Sequence, residues 1–310
     1  MHQVILIVCI VGAALSEYSL FMSCLRQGSG VACCPQDAAS RKEEQKNTIK
    51  RLLTFRPWRV VARVRQLTKQ KLDSLSPELR QFYEDFVEVS LQQSVKIANT
   101  PQGTASWQKD RSVRISASTA RSQYTYYVNK KANWNARYRE TYHSTFKGNA
   151  YTAAGLRCDV LARDLYEEKY RCEVFETGLL VRPEIPWLGA SVDGTVIDDT
   201  GHFLNTIEIK TIKEGQHLNA KELVEYKCIK TLDENGNVKV NTPHYAQMQM
   251  GMLITGMDMC EYVVYSESGK DSHYVRVQFK LQHIHINLSI FITGGPKLVR
   301  PIVIVSTSSK

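Results

Sequence analysis

Three residues in the second half of the chain, Asp193, Glu208 and Lys210, have the types and spacing for metal-assisted chemistry at a phosphate. They lie on two β-rich runs that flank an Asp/Thr/Gly turn, a pattern that predicts a hairpin. Because side chains alternate along a strand, Glu208 and Lys210 share one face while Ile207 and Ile209 point into the core. Two carboxylates and an ammonium at one point could hold Mg²⁺ and direct a water towards a phosphate.

The same charged pair also fits a plain strand surface. A Glu and a Lys two residues apart on an exposed strand usually point to water and contribute little to stability. The pair alone therefore does not distinguish a reactive site from a solvated face, and the rest of the sequence has to decide.

Length and composition indicate an ordinary soluble globular protein. The 310 residues are 43% hydrophobic and 23% charged, enough for one large domain or two modest ones. The net charge of +9 favours an anionic partner. Twelve Lys/Arg lie between Arg41 and Arg80 against four acidic residues, which predicts either a basic helical arm on nucleic acid or a solvated helical face.

The cysteines and the N-terminus bear on the compartment. The eight cysteines show no C-x-x-C and no zinc spacing, which is typical of reduced thiols. The apolar run Val4–Leu15 is too short to span a membrane. It resembles the core of a signal peptide but lacks the leading positive charge. An intracellular location, in a nucleus or mitochondrion, is favoured, and secretion stays open.

The patterns divide the chain into four segments. They are a hydrophobic or disordered leader at 1–35, a basic helical extension at 36–98, a mixed domain at 99–280 and an atypical apolar tail at 281–310. In the mixed domain, periodicity predicts helices over 153–170 and 243–255 and strands over 173–181, 190–197, 206–212, 259–266 and 272–280. This order predicts an α/β (α+β) fold with a central mixed sheet flanked by helices.

Five sequence blocks follow one another through the mixed domain. They are Trp107-x-x-x-Arg111-x-x-Arg114-Ile115-Ser116-Ala117-Ser118; Gly155-x-x-x-Asp159-x-x-Ala162-x-x-x-Tyr166; Gly178-Leu179 with Pro186-Trp187-Leu188-Gly189-Ala190-Ser191-Val192-Asp193-Gly194; Ile207-Glu208-Ile209-Lys210; and His244-Tyr245-Ala246-Gln247-Met248-Gln249-Met250. Together they resemble the YqaJ / lambda-exonuclease branch of the restriction-endonuclease-like, PD-(D/E)XK, nucleases.

The resemblance implies roles for several residues. Asp193, Glu208 and the carbonyl of Ile209 would hold Mg²⁺, or Mn²⁺, with Asp159 as a further ligand. Lys210 would orient the attacking water and offset charge on the phosphate, and Gln247 would help to place that water. An exposed helix amide is the alternative for Gln247.

The resemblance also implies contacts with a terminal 5′-phosphate of DNA. Those contacts fall on Arg114, Ser116, Ser118, Ser191 and Tyr245, because an Arg fork and hydroxyls suit that anion. Ser118 could instead, or in addition, cap a helix. Trp107 is expected to be buried rather than to stack on a base.

Three departures from the family pattern affect the activity. Asp159 stands where these nucleases usually have Glu, which shortens its reach to a metal. Ser191-Val192-Asp193-Gly194 replaces the common Ser-Pro-Asp-Gly. After Lys280 the closing helices of the family are replaced by an apolar tail without helical periodicity.

The leading hypothesis is a Mg²⁺-dependent DNA exonuclease that acts 5′ to 3′ on duplex ends, of the recombination or repair type. The alternatives are an endonuclease, a catalytically impaired DNA-binding relic, and a secreted protein that uses the fold for host interaction. The partners expected are duplex DNA ends, a single-strand annealing protein and further copies of the chain, with no membrane span.

Overall fold

The computed structural model describes residues 35–55, 72–73, 76–127, 129, 133, 150–280, 288–292 and 299–303. The chain divides into two compact units, residues 1–47 and 48–310. Residues 35–47 of the first unit are helical and belong to helix α1 (Pro35–Thr54), where Lys46 pairs with Glu43 at 3.0 Å. The leader and most of the tail lie outside the described residues. None of the described helices is long and apolar enough to cross a membrane.

The second unit contains the remaining helices and strands. In chain order they are α2 (Pro77–Phe86), α3 (Leu91–Ala98), α4 (Ala105–Ser112), β1 (Ile115–Ser116), α5 (Ala117–Tyr127), α6 (Ala150–Tyr170), β2 (Glu173–Phe175), β3 (Leu188–Gly189), β4 (Gly194–Ile197), β5 (Phe203–Thr211), a 3₁₀ turn (Lys213–Gln216), α7 (Ala220–Glu225), α8 (Pro243–Thr255), β6 (Met259–Ser266), β7 (Asp271–Gln278), β8 (Leu288–Ile292) and β9 (Val299–Val303). The strand predicted over 173–181 is shorter and ends at Phe175.

The central sheet has five strands in the order β2–β4–β5–β6–β7. Strands β5 and β6 are parallel, and every other neighbouring pair is antiparallel. A parallel pair needs a long crossover, and the 3₁₀ turn with α7 and α8 supplies it. This arrangement confirms the predicted mixed sheet flanked by helices. The short pairs β1–β3 and β8–β9 form two further sheets.

Both faces of β5 are covered. Helix α6 packs against one face, where Ala162 and Tyr166 lie in a buried cluster with Ile207 and Ile209. The other face belongs to the main core, which contains Tyr262 of the neighbouring strand and buried methionines of α8. The middle of β5, from Asn205 to Ile209, is therefore buried, and the charged residue Glu208 lies within it.

Local sequence signals set the ends of α8. The Thr242 hydroxyl accepts a hydrogen bond from the Tyr245 N–H at 3.2 Å, and Pro243 occupies the first helical position. Gly256 ends the helix in the left-handed region at φ 78°. The helix predicted over 243–255 is confirmed.

The second half of α1 belongs to the same core as the sheet. Ile49, Leu52 and Leu53 are at most 2% exposed and lie in the main cluster with Trp187. The Phe55 carbonyl accepts a hydrogen bond from Arg182 at 2.6 Å. The boundary predicted between residues 98 and 99 therefore does not separate two cores.

Candidate active site

Strand pairing brings Asp193 to the middle of β5. It precedes Gly194, which opens β4 opposite Ile207. A Cβ at position 194 would overlap with Val174 and press on Ile207, so only glycine allows this close approach. Asp193 Oδ2 accepts a hydrogen bond from the Ile209 N–H at 2.7 Å, which locks the aspartate onto the strand.

Three oxygens converge on one cation. The Lys210 Nζ contacts Glu208 Oε1, donates a hydrogen bond to the Ile209 carbonyl at 2.8 Å and lies 3.7 Å from Asp193 Oδ2. These are the three residues for which the family resemblance implies metal ligation. The structure therefore brings Asp193, Glu208, Ile209 and Lys210 together as predicted.

This cluster is buried rather than solvated. The Glu208 side chain is 3% exposed, and those of Lys210 and Asp193 are 25% and 21% exposed. Burial raises the pKa of Glu208 more than the nearby Lys210 lowers it. Burial lowers the pKa of Lys210, but the Glu208 and Asp193 carboxylates outweigh it and raise that pKa overall. Lys210 is thus positively charged at neutral pH. The burial of Glu208 excludes the interpretation of this pair as an ordinary solvated strand surface.

Helix α6 contributes a carboxylate and a guanidinium. Burial, together with the Asp193 carboxylate, raises the pKa of Asp159 to about 6. One turn further on, Arg163 donates to the Asp193 carbonyl at 3.3 Å and pairs with Glu176 at 3.0 Å. Asp159 therefore lies within the electrostatic reach of Asp193, on the helix that Arg163 ties to the Asp193 backbone.

The oxygens fit a magnesium ion with two carboxylate ligands. Within the described ranges, no three His, Cys, Asp or Glu side chains form a group that could hold a metal. Mg²⁺ usually takes only one or two protein carboxylates and keeps several waters. Asp193, Glu208 and the Ile209 carbonyl supply hard oxygens that already surround one positive charge. Asp159 as a further ligand stays a prediction.

Helix α8 lies alongside the same strands. His244 Nδ1 is 2.9 Å from the Tyr262 hydroxyl, and Tyr262 is the register partner of Glu208. Burial and the Lys210 charge lower the pKa of His244 to about 4, so this imidazole is neutral at pH 7. Two turns along, a Cβ on Gly251 would lie 3.2 Å from Val192. Gln247 is between these positions and is partly exposed.

The sequence analysis assigned no role to His244 or Tyr262. His244 stands in the quoted block around Gln247, three residues before it. Residues three apart lie on the same face of a helix, so this spacing could have indicated that His244 faces the same side as Gln247. Tyr262 gave no local signal, because only the parallel pairing places it beside Glu208.

A cluster of hydroxyls lies at the start of α5. Ser118 Oγ accepts a hydrogen bond from Arg111 at 2.8 Å and is 3.3 Å from Ser116 Oγ. The Arg111 guanidinium also lies over the Trp107 ring at 5.1 Å. The Trp107 indole N–H in turn donates to Ser191 Oγ at 3.2 Å. Arg111 and Trp107 therefore link Ser116 and Ser118 to Ser191. Ser191 stands two residues before Asp193.

Arg114 is not part of this hydroxyl cluster. Its guanidinium is 5% exposed and donates to the carbonyls of Pro186 at 2.9 Å, Asp110 at 2.6 Å and Val87 at 3.1 Å. These bonds join three separate segments of the chain. The prediction of a phosphate contact at Arg114 is corrected, since Arg111 faces the hydroxyls and Arg114 faces carbonyls.

Burial places two more of the predicted residues, and the start of α5 places a third. The Tyr245 side chain is 4% exposed and lies in the main core rather than on a surface open to a ligand. Trp107 is partly buried against the small cluster of Val89 and Leu179. Ser118 lies inside the first turn of α5, which begins at Ala117, so Ser116 rather than Ser118 directly precedes the helix.

Residues 106–258 match the family described as the YqaJ-like viral recombinase domain. These residues belong to the YqaJ family. The YqaJ domain contains the whole oxygen cluster, Gln247 and the hydroxyl cluster. It ends one residue before β6, which pairs with β5. A comparison with curated proteins gives no match.

The chain that carries the YqaJ domain is also similar to solved structures. Two are crystal structures of an alkaline exonuclease (LHK-Exo) from Laribacter hongkongensis, the second in complex with dAMP. Both are 24% identical over 57% of this chain and 83% of that chain, with TM-scores of 0.42 and 0.43. The KSHV SOX RNA complex is 11% identical over 84% and 89%, with a TM-score of 0.38. With TM-scores below 0.5, these likenesses assign no residue and no activity to this chain.

Proposed function

We propose that this chain is a Mg²⁺-dependent nuclease that removes nucleotides from the 5′ ends of duplex DNA. The observation that carries the proposal is the convergence of Asp193 Oδ2, Glu208 Oε1 and the Ile209 carbonyl on one point beside Lys210. A buried pair of carboxylates with an ammonium suits phosphodiester hydrolysis. The membership of residues 106–258 in a viral recombinase family supports DNA as the substrate.

Each residue of the site has a separate role in the proposed reaction. Asp193 and Glu208 would hold the Mg²⁺, and a bound Mg²⁺ would offset negative charge on the scissile phosphate and lower the pKa of a nearby water. The Lys210 ammonium, whose raised pKa keeps it charged, orients that water and stabilises charge that develops on the phosphate. Gln247, on the α8 face between His244 and Gly251, helps to position the water.

Preference for a 5′ end is assigned to the hydroxyl cluster. Arg111 offers a guanidinium beside Ser118, and Ser191 stands two residues before Asp193. An arginine fork with hydroxyl donors suits a terminal phosphate, which carries more charge than an internal one. The proposal therefore assigns the anchoring of the 5′-phosphate to Arg111, Ser116, Ser118 and Ser191.

A substrate comparison tests the proposal. The purified protein is given Mg²⁺ at increasing concentrations with 5′-phosphorylated linear duplex DNA and with covalently closed circular duplex. The expected result is release of mononucleotides from the linear DNA only, dependent on Mg²⁺. Cleavage of the circle at a similar rate would show an endonuclease, and no cleavage of either DNA at any Mg²⁺ or Mn²⁺ concentration would show a binding relic.

Arg111→Met is expected to remove most of the preference for phosphorylated ends. Because charge-assisted hydrogen bonds are lost, the ratio of rates on 5′-phosphorylated and 5′-hydroxyl duplex should fall by roughly 10- to 100-fold. Initial rates on both duplexes measure it. Lys109→Met removes a charge from the same helix at an exposed position and is the matched control. An unchanged ratio in Arg111→Met would contradict the assignment.

A further inference from the structure

The Lys210 ammonium lies among the side-chain oxygens of Asp193 and Glu208 and the carbonyl oxygen of Ile209. Its Nζ contacts Glu208 Oε1, lies 2.8 Å from the Ile209 carbonyl and 3.7 Å from Asp193 Oδ2. These are the three oxygens that the proposed function gives to the metal. The ammonium therefore lies among the oxygens that would bind a divalent cation.

The burial of Glu208 favours a counter-ion beside its ionised form. A carboxylate that is 3% exposed costs several kcal/mol unless a cation or hydrogen bonds compensate it. Arg163, a cation on α6, is engaged with the Asp193 carbonyl and with Glu176 instead. Without a bound metal, compensation of Glu208 rests on Lys210.

A lysine side chain can move its ammonium away from these oxygens. Its charge is compact and sits on a flexible four-carbon side chain, unlike the rigid fork of arginine. An ammonium and a divalent cation cannot occupy the same point among these three oxygens, since two like charges that close repel strongly in a partly buried site. Binding of the metal and the observed position of Lys210 are therefore mutually exclusive.

We propose that Lys210 is the internal counter-ion of the metal-free site, and that its ammonium leaves the three oxygens when a divalent cation binds to them. This rests on the proposed function, because it takes the same oxygens as the metal site. The exchange gives Lys210 two positions. In the metal-free protein it stabilises Glu208, and after metal binding it is released towards the water and phosphate. Lys210 thus weakens the affinity for the metal while it serves the reaction.

Calorimetric titration of Mg²⁺ into the metal-free full chain tests the exchange without any measurement of activity. In Lys210→Met no ammonium has to be displaced, so the Kd for Mg²⁺ should be at least about tenfold lower than in the parent. The thermal midpoint of metal-free Lys210→Met should fall, and saturating Mg²⁺ should raise it by more than in the parent. Lys213→Met, which removes a charge from an exposed position three residues away, should leave the Kd unchanged.

The outcomes separate this inference from the proposed function. A Kd in Lys210→Met that equals or exceeds the parent's overturns the exchange and leaves the nuclease proposal standing. An equal tightening in Lys213→Met overturns it as well, since net charge alone would then explain the effect. If no variant binds Mg²⁺, both proposals fail. Should Lys210→Met not fold without metal, Lys210→Gln keeps a polar side chain there and is titrated in the same way.

Discussion

Glu208→Gln is expected to lower the Mg²⁺-dependent digestion of linear duplex DNA by at least roughly 10³-fold, with DNA binding largely retained. The substitution keeps the size of the side chain but replaces a buried anionic ligand by a neutral amide. The metal then loses one of its two carboxylates. Initial rates across a Mg²⁺ titration measure the loss, and fluorescence anisotropy of a labelled duplex in the absence of Mg²⁺ measures binding.

Glu214→Gln provides the matched control for this variant. It removes the same charge six residues away, from an exposed position in the 3₁₀ turn. It should digest DNA at the parent rate. Thermal midpoints of both variants show whether the fold is kept. Digestion by folded Glu208→Gln at the parent rate would overturn the assignment of the active site.

Arg114→Met is expected to destabilise the protein by about 3–5 kcal/mol, without changing the preference for 5′-phosphorylated ends. The guanidinium is buried and donates to the carbonyls of Val87, Asp110 and Pro186. Methionine fills the space but leaves these acceptors without their donor. For a domain of this size, the thermal midpoint should fall on the order of 10 °C.

Two comparisons make this result specific to Arg114. Arg157→Met removes a guanidinium from an exposed position on α6 and should leave the thermal midpoint nearly unchanged. Arg111→Met should change the end preference with a smaller loss of stability. If Arg114→Met is as stable as the parent and loses the end preference, the phosphate contact belongs to Arg114 after all.

Strand β5 shows what the alternation of side chains along a sequence can and cannot predict. It correctly placed Ile207 and Ile209 on a core face and Glu208 with Lys210 on the other. Alternation could not show that the second face of β5 is also buried. That burial depends on α8 and β6, which come much later in the chain. A charged residue on a central strand looks the same in sequence as one on a surface strand.

The choice between Arg111 and Arg114 depended on distant parts of the chain. Both arginines stand in one short block with Trp107, and either could serve a phosphate on chemistry alone. The partners of Arg114 at Val87 and Pro186 are 27 and 72 residues away, so no local pattern could show them. Only the folded structure shows that the Arg114 guanidinium donates its hydrogen bonds to backbone carbonyls.

The basic composition of the predicted N-terminal extension hides apolar positions that pack in the main core. The segment from Arg41 to Arg80 is strongly basic, and the charge conceals three apolar positions of α1. Ile49, Leu52 and Leu53 repeat at the three- and four-residue spacing of a helix face, and all three are buried in the main core. A charge-based boundary therefore overlooked a packing signal.

The parallel pairing of β5 with β6 has a consequence for the order in which the protein is made. Glu208 leaves the ribosome about fifty residues before Tyr262, its neighbour on β6. Until β6 has emerged, β5 lacks the neighbour that closes the sheet around it, so the carboxylates and Lys210 stay hydrated. Long-range pairing of this kind is slow compared with local helix formation. The charged side chains of β5 therefore lose their surrounding water only after β6 has been made and has paired with β5.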